Sequence, residues 1–257
     1  MKISVITVCY NAEATIASTL SSVAAQQDAE VEHIVIDGGS RDGTMAVVAR
    51  YPHVDVVVSE PDRGIYDAMN KGIARATGDA IGFLNADDYF CRDNALDLIG
   101  QHLQSADVVM GDLVIIDSGS GRPRRFYSSR AFSPWMLRFG YMPPHPTIYA
   151  KREVFDRLGG FNSDFRIAGD FDFVARLMFG EKGVRWQRVP HTLVAFRTGG
   201  ASTRNLSAKL QMNREILRSL RDLQRSWGMT ALYARYPFKV LQMVLPGWKA
   251  AAWRKSG

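Results

Sequence analysis

Short apolar runs alternate with longer segments of helical spacing along the first half of the chain. The runs are rich in Ile and Val, as in strands that are buried on both faces. The predicted strands are residues 3–8, 32–36, 54–59 and 80–84, and the predicted helices are residues 15–26, 45–51 and 65–76. This βαβαβ succession predicts an α/β fold with a mostly parallel central sheet flanked by helices.

Polar residues directly follow three of these predicted strands. They are Tyr10 and Asn11 after the first strand, Asp37 with two glycines after the second, and Asn85, Asp87 and Asp88 after the fourth. Ligands of open α/β sheets bind outside the carboxyl ends of the strands. The pattern therefore predicts a ligand site at this edge of the sheet.

The second half of the chain is less regular. We expect a strand at 107–116, a basic loop or hairpin at 119–130, an ordered proline-rich loop at 142–146, and helices at 152–158, 169–179 and 206–227. The last helix has leucines on one side and Lys or Arg on the other. We therefore expect one domain over residues 1–203, with halves 1–111 and 112–203, and a basic amphipathic helical extension over 204–257.

Composition describes an ordinary globular protein, with 46% hydrophobic and 23% charged residues. Two cysteines argue against a disulfide framework. The N-terminal apolar run lacks the features of a signal peptide, and no run approaches the ~18 apolar residues of a membrane span. These features predict a cytoplasmic protein.

The positive charge is concentrated in the extension. The chain has a net charge of +6, and from residue 204 onward it has eleven Lys and Arg against two acids. Aromatic and apolar residues are interleaved with this charge over residues 227–253, a pattern that suits a lipid headgroup interface. We expect peripheral binding to the inner membrane surface. The alternative is packing on the main domain or on a second subunit of a homo-oligomer, and no motif supports nucleic acid.

Two sets of acidic residues have the chemistry of a nucleotide site. Asp87 and Asp88 are adjacent carboxylates at a strand end, which suit a hard divalent cation such as Mg²⁺ or Mn²⁺. Asp37 can accept hydrogen bonds from a nucleoside base or ribose. The structural alternatives are a helix N-cap for the pair and a turn built by Asp37 and Ser40. Since no G-x-G-x-x-G follows the first strand, a nicotinamide dinucleotide site is disfavoured.

Taken together, these segments resemble the family-2 glycosyltransferase domain. The matching segments are ISVITVCYN (3–11), IVIDGGSRDGT (34–44), SEPDRGIYDAMNKGI (59–73) and FLNADD (83–88). The third segment is similar to the branch that includes bacterial exopolysaccharide and colanic-acid-type transferases. Several ordered motifs at consistent spacing make this resemblance, over about residues 2–200, more specific than any single motif.

The resemblance implies a GT-A fold, a nucleotide-diphospho-sugar donor such as a UDP- or GDP-sugar, and Mn²⁺ or Mg²⁺. The positions that it assigns to the donor are Thr7, Tyr10 and Asn11 for the nucleoside pocket, Asp37 for the base, Asp62 and Arg63 for the base or diphosphate, and Asn70 and Lys71 behind them. Asp87 corresponds to the final acid of the D-x-D metal motif, and Asp88 is a second candidate ligand. Asn85 replaces the first acid of that motif; its amide can accept a hydrogen bond from the ribose or ligate the metal weakly, but it removes a negative charge.

Inversion at the sugar requires a base that takes a proton from the acceptor hydroxyl. The family places this acid in an E-D pair at a helix start, where Asp170 stands here and Gly169 replaces the usual Glu. An N-cap role for Asp170 is the alternative. His145 is expected to hydrogen-bond the acceptor or the sugar, and Arg197 with the following glycines to close over the diphosphate, although both also fit plain structural loops.

The resemblance thus implies an inverting, hexosyltransferase-type enzyme of cell-surface polysaccharide synthesis, with a saccharide or lipid-linked saccharide acceptor. A sugar nucleotidyltransferase shares the layout and the metal chemistry. It would need a glycine-rich first loop with a lysine, which residues 10–14 do not form. A non-catalytic nucleotide-sugar-binding scaffold is a third hypothesis, because Asn85 and Gly169 depart from the family pattern.

Overall fold

The computed structural model describes residues 1–180, 183–197, 206–228 and 230–233. Its strands are β1 (Lys2–Cys9), β2 (Glu30–Asp37), β3 (Val54–Ser59), β4 (Ala80–Phe83), β5 (Tyr89–Phe90), β6 (Val108–Ile116), β7 (Pro123–Tyr127), β8 (Ile148–Lys151) and β9 (Trp186–Arg197). Its α-helices are α1 (Ile16–Ala24), α2 (Thr44–Val48), α3 (Ile65–Arg75), α4 (Ala95–Leu103), α5 (Arg152–Leu158), α6 (Gly169–Phe179) and α7 (Leu206–Asp222). Two short 3₁₀ helices, Pro134–Phe139 and His145–Thr147, precede β8.

The first four strands form the parallel half of the sheet, in the order β3-β2-β1-β4. Cys9 lies beside Asp37, and Asp37 lies beside Ser59, so β1, β2 and β3 end at the same level. The chain moves outward from β1 to β3 and then returns to the other side of β1 with β4. A crevice forms at such a reversal of strand order, outside the carboxyl ends of the strands.

The remaining strands continue the sheet in the order β8-β6-β9-β5, with β7 paired to β6 as a hairpin. β8 is antiparallel to both β4 and β6, and β5 is antiparallel to β9, whereas β9 is parallel to β6. Within the described residues, six of the nine strands therefore run in one direction. The expected mostly parallel sheet is confirmed, and β5 and β8 are antiparallel additions that the apolar pattern did not indicate.

Side chains alternate across the sheet and fill a core on each face. On one face, Ile6 and Val8 of β1 pack with residues of α3, α6 and α7. On the other face, Ile3 and Val5 pack with residues of α4. This period of two is the signature of strands that are covered on both sides.

Helix α7 belongs to the first of these cores. Leu217 and Leu220 are buried there, whereas Leu210 and Trp227 are 42% and 52% exposed, so the apolar face is narrower than the leucine pattern indicated. The helix ends at Asp222, before the expected residue 227. The proposed division at residue 203 thus places in the extension a helix that shares the main core, and residues 234–257 of that extension lie outside the described residues. None of the described helices has the length and apolarity required to cross a bilayer.

Candidate active site

Asp37 occupies a buried position at the carboxyl end of β2. Its Oδ2 accepts hydrogen bonds from the Ser40 amide at 3.0 Å and from the Ser59 hydroxyl at 2.7 Å, and its Oδ1 accepts one from the Ser40 hydroxyl. Burial opposes ionisation, but these hydrogen bonds outweigh it and lower the pKa of Asp37. The sheet edge therefore has a fixed negative charge at the position expected to recognise the nucleoside base of the donor.

The loops that follow β1, β2 and β3 meet above Asp37. A Cβ added to Gly38 would come within 2.3 Å of Asp62 Oδ2 and 3.5 Å of the Tyr10 ring, so Gly38 permits this close approach. The Gly64 amide donates a hydrogen bond to Asp62 Oδ1 at 2.8 Å, and Tyr10 is 62% exposed. The exposed Tyr10 ring therefore offers a stacking surface, and the Asp62 carboxylate beside it offers a hydrogen-bond acceptor, at the entrance of the site.

Two residues that were predicted to bind the sugar donor make hydrogen bonds that support these loops. Asn11, at a φ of +49°, accepts the Arg41 amide at 2.9 Å and donates its own amide to the Ser40 hydroxyl at 2.8 Å. Lys71 donates to the Pro61 carbonyl at 2.9 Å. These contacts hold the mouth of the site together, and they use the side-chain oxygen of Asn11 and a proton of Lys71.

Two other residues that were predicted to bind the sugar donor make hydrogen bonds within the fold. Thr7 is fully buried, and its hydroxyl lies 3.0 Å from Nε2 of the buried His33. Asn70 donates to the Phe161 carbonyl and accepts the Phe161 amide, both at 2.8 Å. The donor-binding roles of Thr7 and Asn70 stay predictions.

An acidic cluster follows β4, as the sequence indicated. Asp88 is fully buried, and its Oδ1 accepts the Arg197 amide at 3.2 Å. Among the described residues, neither Oδ2 of Asp88 nor the buried Oδ1 of Asn85 has a hydrogen-bond partner. Burial raises the pKa of both Asp87 and Asp88, and the charge of Asp87 raises that of Asp88 further. Arg197 thus lies against this cluster, while the glycines expected to follow it in a loop fall outside the described residues.

These oxygens fit a divalent cation that a ligand helps to coordinate. Within the described part of the chain, no three His, Cys, Asp or Glu side chains gather into a metal site. Mg²⁺, however, is commonly held by one or two carboxylates together with substrate phosphates. Asn85 Oδ1 and Asp88 Oδ2 are two buried oxygens without a partner among the described residues, and burial makes the Asp88 carboxylate costly to ionise. Both features match such a site. The metal ligands would be Asp87 and Asp88, with Asn85 as a weaker neutral ligand.

Asp170 lies in the first turn of α6, next to Tyr66. The Tyr66 hydroxyl donates to Asp170 Oδ1 at 3.3 Å, and the Phe171 amide donates to the same oxygen at 2.8 Å. His145 feels the charge of Asp170, although burial dominates and lowers the pKa of His145. The His145 ring also stacks on Phe83 at 5.9 Å, where β4 ends. The Asp170 corner is therefore joined to the strand end that precedes the acidic cluster.

Tyr66 is a site residue that the sequence analysis did not single out, although it lies inside the quoted 59–73 motif. A Cβ on Gly169 would come within 2.8 Å of its ring, so the ring fills the space that a side chain at position 169 would need. Tyr66 also lines an open cleft with Arg63, Phe165 and Arg166. Arg63 is paired with Asp67 at 2.8 Å and has a side chain that is 78% exposed, which places it at the rim of this cleft.

Comparisons with known proteins identify the family to which the chain belongs. The family model described as glycosyl transferase family 2 matches residues 4–168. A glycosyltransferase of PGL/p-HBAD biosynthesis from Mycobacterium bovis is 32% identical over 67% of this chain and 68% of its own length. An uncharacterised glycosyltransferase of Mycobacterium tuberculosis is 34% identical over 92% of this chain and 86% of its own length.

Two solved structures share the fold at low sequence identity. Staphylococcus aureus TarS in complex with UDP superposes with a TM-score of 0.63 at 22% identity, over 86% of this chain and 65% of that one. A mannosyltransferase from Pyrobaculum calidifontis, in complex with GDP-Man and Mn²⁺, superposes with a TM-score of 0.63 at 20% identity. The match covers 91% of this chain and 68% of that one. The chain thus spans about two thirds of the length of these solved chains. It belongs to glycosyl transferase family 2 and has the GT-A fold, so the expected family and fold are confirmed.

Proposed function

We propose that this protein transfers a sugar, with inversion, from a nucleoside-diphosphate sugar to a hydroxyl of a saccharide acceptor. The observation that carries the proposal is the convergence of three acidic groups from distant parts of the sequence. Asp37 and the acidic cluster after β4 lie at one sheet edge, and Asp170 is linked to that edge through Tyr66, Phe161 and Phe83. A nucleotide site beside an acid in a helix's first turn suits transfer to a hydroxyl.

The residues of the two corners have distinct tasks in this reaction. Asp37 and Asp62 accept hydrogen bonds from the nucleoside, and Tyr10 stacks on its base. The diphosphate lies toward Asn85, Asp87 and Arg197. A divalent cation held by Asp87 and Asp88 would supply positive charge that stabilises the departing diphosphate. The relatives' complexes with UDP and with GDP-Man and Mn²⁺ support a donor and a metal of these classes.

Asp170 is the base on the acceptor side. Both of its hydrogen bonds, from Tyr66 and from Phe171, go to Oδ1. Among the described residues Oδ2 receives none, so this oxygen takes the proton of the acceptor hydroxyl as that hydroxyl attacks the anomeric carbon. Attack from the face opposite to the diphosphate inverts the configuration. Tyr66 holds the carboxylate in place during the transfer.

We further propose a lipid-linked saccharide acceptor and a role in cell-surface polysaccharide synthesis. An aromatic surface supports this acceptor, and it is formed by Trp135, Phe139 and Trp227 with Arg138 placed 4.8 Å above the Trp227 ring. Exposed aromatic rings beside arginine suit a membrane interface.

The rival hypotheses make different predictions about Asp170. A non-catalytic scaffold was suggested by Asn85 and Gly169, but the Tyr66 ring accounts for Gly169 without any loss of the base. A nucleotidyltransferase would not use Asp170 as a base toward an acceptor hydroxyl. The Asp170→Asn variant therefore separates the proposed transferase from both rivals.

The test compares Asp170→Asn with the wild-type protein on a panel of UDP- and GDP-sugars, with Mn²⁺ or Mg²⁺ and a lipid-linked saccharide. Release of nucleoside diphosphate should fall by about 10²- to 10⁴-fold, the contribution of a general base. The affinity for the nucleoside diphosphate, measured by calorimetry, should stay within about twofold because Asp170 lies outside the donor corner. Asp156→Asn, an exposed change on α5, is the matched control. Unchanged turnover in Asp170→Asn would refute the assigned base.

A further inference from the structure

We propose that Glu215 of α7 is a positioning residue for Asp170, because it fastens the chain segment that leads into α6. The inference rests on the proposed function, in which Asp170 is the base. It extends the active site to a helix that lies beyond the residues matched by the family model, which end at 168. Helix α7 is then part of the support of the reaction centre.

The Glu215 carboxylate binds three consecutive backbone amides. Its Oε2 accepts hydrogen bonds from Ile167 at 2.9 Å and from Ala168 at 2.8 Å, and its Oε1 accepts one from Arg166 at 3.2 Å. Gln211, one turn earlier on α7, donates to Oε1 at 3.0 Å and so orients the carboxylate. Hydrogen bonds from amides to an ionised group are about twice as strong as neutral ones.

This anchor is placed where the start of α6 has little support of its own. The residue that precedes the helix is Ala168, whose side chain makes no capping hydrogen bond. Asp170 follows two positions later, so any shift of residues 166–168 moves the base directly. A carboxylate near the N-terminus also interacts favourably with the helix dipole. Glu215 therefore supplies from another helix what a capping side chain supplies locally.

Glu215 and Asp170 also act on the same tyrosine. Burial raises the pKa of Tyr66 strongly, and the charges of Asp170 and Glu215 raise it further. The phenol therefore stays protonated and remains a hydrogen-bond donor to Asp170. Both charges thus favour the protonated form of the phenol that holds the base.

Other contacts keep α7 docked without Glu215. The Ser219 hydroxyl, one turn further along, donates to the buried Asp172 at 2.8 Å. Ile216, Leu217 and Leu220 are buried in the core shared with α6. A change at position 215 can therefore loosen residues 166–168 while α7 keeps its place. Ser219→Ala removes a contact of the same interface but not the anchor, so it is the matched control.

The experiment measures kcat, donor KM and thermal stability of Glu215→Ala, Glu215→Gln, Ser219→Ala and Asp170→Asn, well below each melting temperature. We expect kcat to fall by about 10- to 100-fold in Glu215→Ala, because a misplacement of about 1 Å costs that much. Donor KM and calorimetric affinity for UDP or GDP should change by less than about twofold, since the donor corner is built from other strands. Glu215→Gln, which keeps one acceptor oxygen, should lie between Glu215→Ala and the wild type.

Three outcomes would overturn the inference. In the first, Glu215→Ala and Glu215→Gln keep the wild-type kcat. In the second, Ser219→Ala loses kcat to the same extent as Glu215→Ala, which would make the effect one of general stability. In the third, Asp170→Asn keeps its turnover, which refutes the proposed base as well. Loss of turnover in Asp170→Asn together with wild-type kcat in both Glu215 variants refutes this inference alone.

Discussion

At position 169 a missing side chain shapes the chemistry of its neighbour. Three atoms of the Tyr66 ring lie within 2.9 Å of the place where a Cβ on Gly169 would stand. A side chain at this position must push the ring away, and with it the hydroxyl that binds Asp170. Here the departure from the family pattern is linked to the tyrosine that replaces the missing side chain in space.

The Gly169→Ala variant tests this link. We expect a loss of about 1–3 kcal/mol in the free energy of unfolding, the usual cost of overpacking, and a fall in kcat with an unchanged donor KM. Gly100→Ala is the control, because a Cβ there meets only Ile3 at 3.7 Å in the middle of α4. That change should stabilise the protein by up to about 1 kcal/mol, since alanine is the better helix former. Urea unfolding and steady-state kinetics on both variants test this prediction. Equal effects of the two substitutions would contradict the link between Gly169 and the Tyr66 ring.

Asn85 is the second residue at which the family pattern is broken. Asn85→Asp would add a third carboxylate beside Asp87 and Asp88, whose pKa values burial already raises. Without metal, the melting temperature should fall because like charges repel. With Mn²⁺, the affinity should rise on the order of tenfold, about 1.4 kcal/mol, and recover the stability. Calorimetry and thermal melts with and without EDTA measure both effects.

Asn162→Asp introduces the same charge at an exposed site and controls for net charge. A variant Asn85→Asp with unaltered Mn²⁺ affinity would show that the cluster after β4 does not hold the cation.

Sequence alone placed three acids at one edge of the sheet, but it did not indicate the partners of the polar uncharged residues. The residues Asp37, Asp87 and Asp88 follow apolar strands, and the ends of parallel strands share one edge, so their convergence is a consequence of local pattern. Thr7 and Asn70 were expected to bind the donor, yet their partners are His33 and Phe161, which are 26 and 91 residues away in sequence. Such pairings depend on packing that a local pattern does not contain.

At the scale of the elements, the same distinction separates what was predicted from what was missed. The succession from β1 to β4 with α1, α2 and α3 was predicted because each strand is a local apolar run and each helix has apolar residues at helical spacing. The strands β8 and β9 and the helix α4 were not predicted. β8 pairs with β4 and β6 in the antiparallel sense, and β9 adds beyond β6, so their places depend on partners far along the chain.

Glu32 provides a test of how the parallel strands are tied together. Its buried carboxylate accepts hydrogen bonds from Lys2 at 2.9 Å, Ser4 at 2.5 Å and the Thr77 amide at 2.7 Å, and so joins β1, β2 and the turn before β4. Burial would raise its pKa, but these hydrogen bonds outweigh it and lower the pKa to about 2. Because the folded-state pKa lies below the unfolded value of about 4.3, the stabilisation is complete above that value and is lost as the pH falls toward 2.

We therefore expect Glu32→Gln to lower the free energy of unfolding at pH 7 by about 2–3 kcal/mol, the scale of hydrogen bonds to a charged group. The difference from the wild type should narrow between about pH 4 and pH 2 as the wild-type carboxylate is protonated. Urea unfolding at pH 7, 5 and 3 measures it. Glu30→Gln, an exposed change on the same strand, should differ little from the wild type at any of these values. If the difference in the free energy of unfolding between Glu32→Gln and the wild type does not change with pH, the ionised form of Glu32 is not the source of the stabilisation.

At the scale of the whole molecule, the positive charge is concentrated toward one end of the sequence. The residues from 204 onward carry eleven Lys and Arg against two acids, and the remaining residues carry 21 basic against 24 acidic groups. Helix α7 leads from the support of Asp170 toward Trp227, whose ring contacts Phe139 at 5.3 Å. The same helix thus connects the base to the aromatic surface, a layout that suits an acceptor presented at a lipid interface.

Trp135 and Trp227 are 56% and 52% exposed, and they are the side chains through which this surface would enter a headgroup layer. The double variant Trp135→Ala/Trp227→Ala should bind vesicles of phosphatidylglycerol and phosphatidylcholine about tenfold or more weakly in co-sedimentation, because apolar burial contributes to interfacial binding. Raising the salt should weaken the wild type as well, since its basic residues are screened. Val57→Ala, an exposed apolar change on β3, is the control. Equal binding by the double variant would assign attachment to the basic tail alone, and concentration-dependent dimers that it abolishes would make this surface a subunit contact instead.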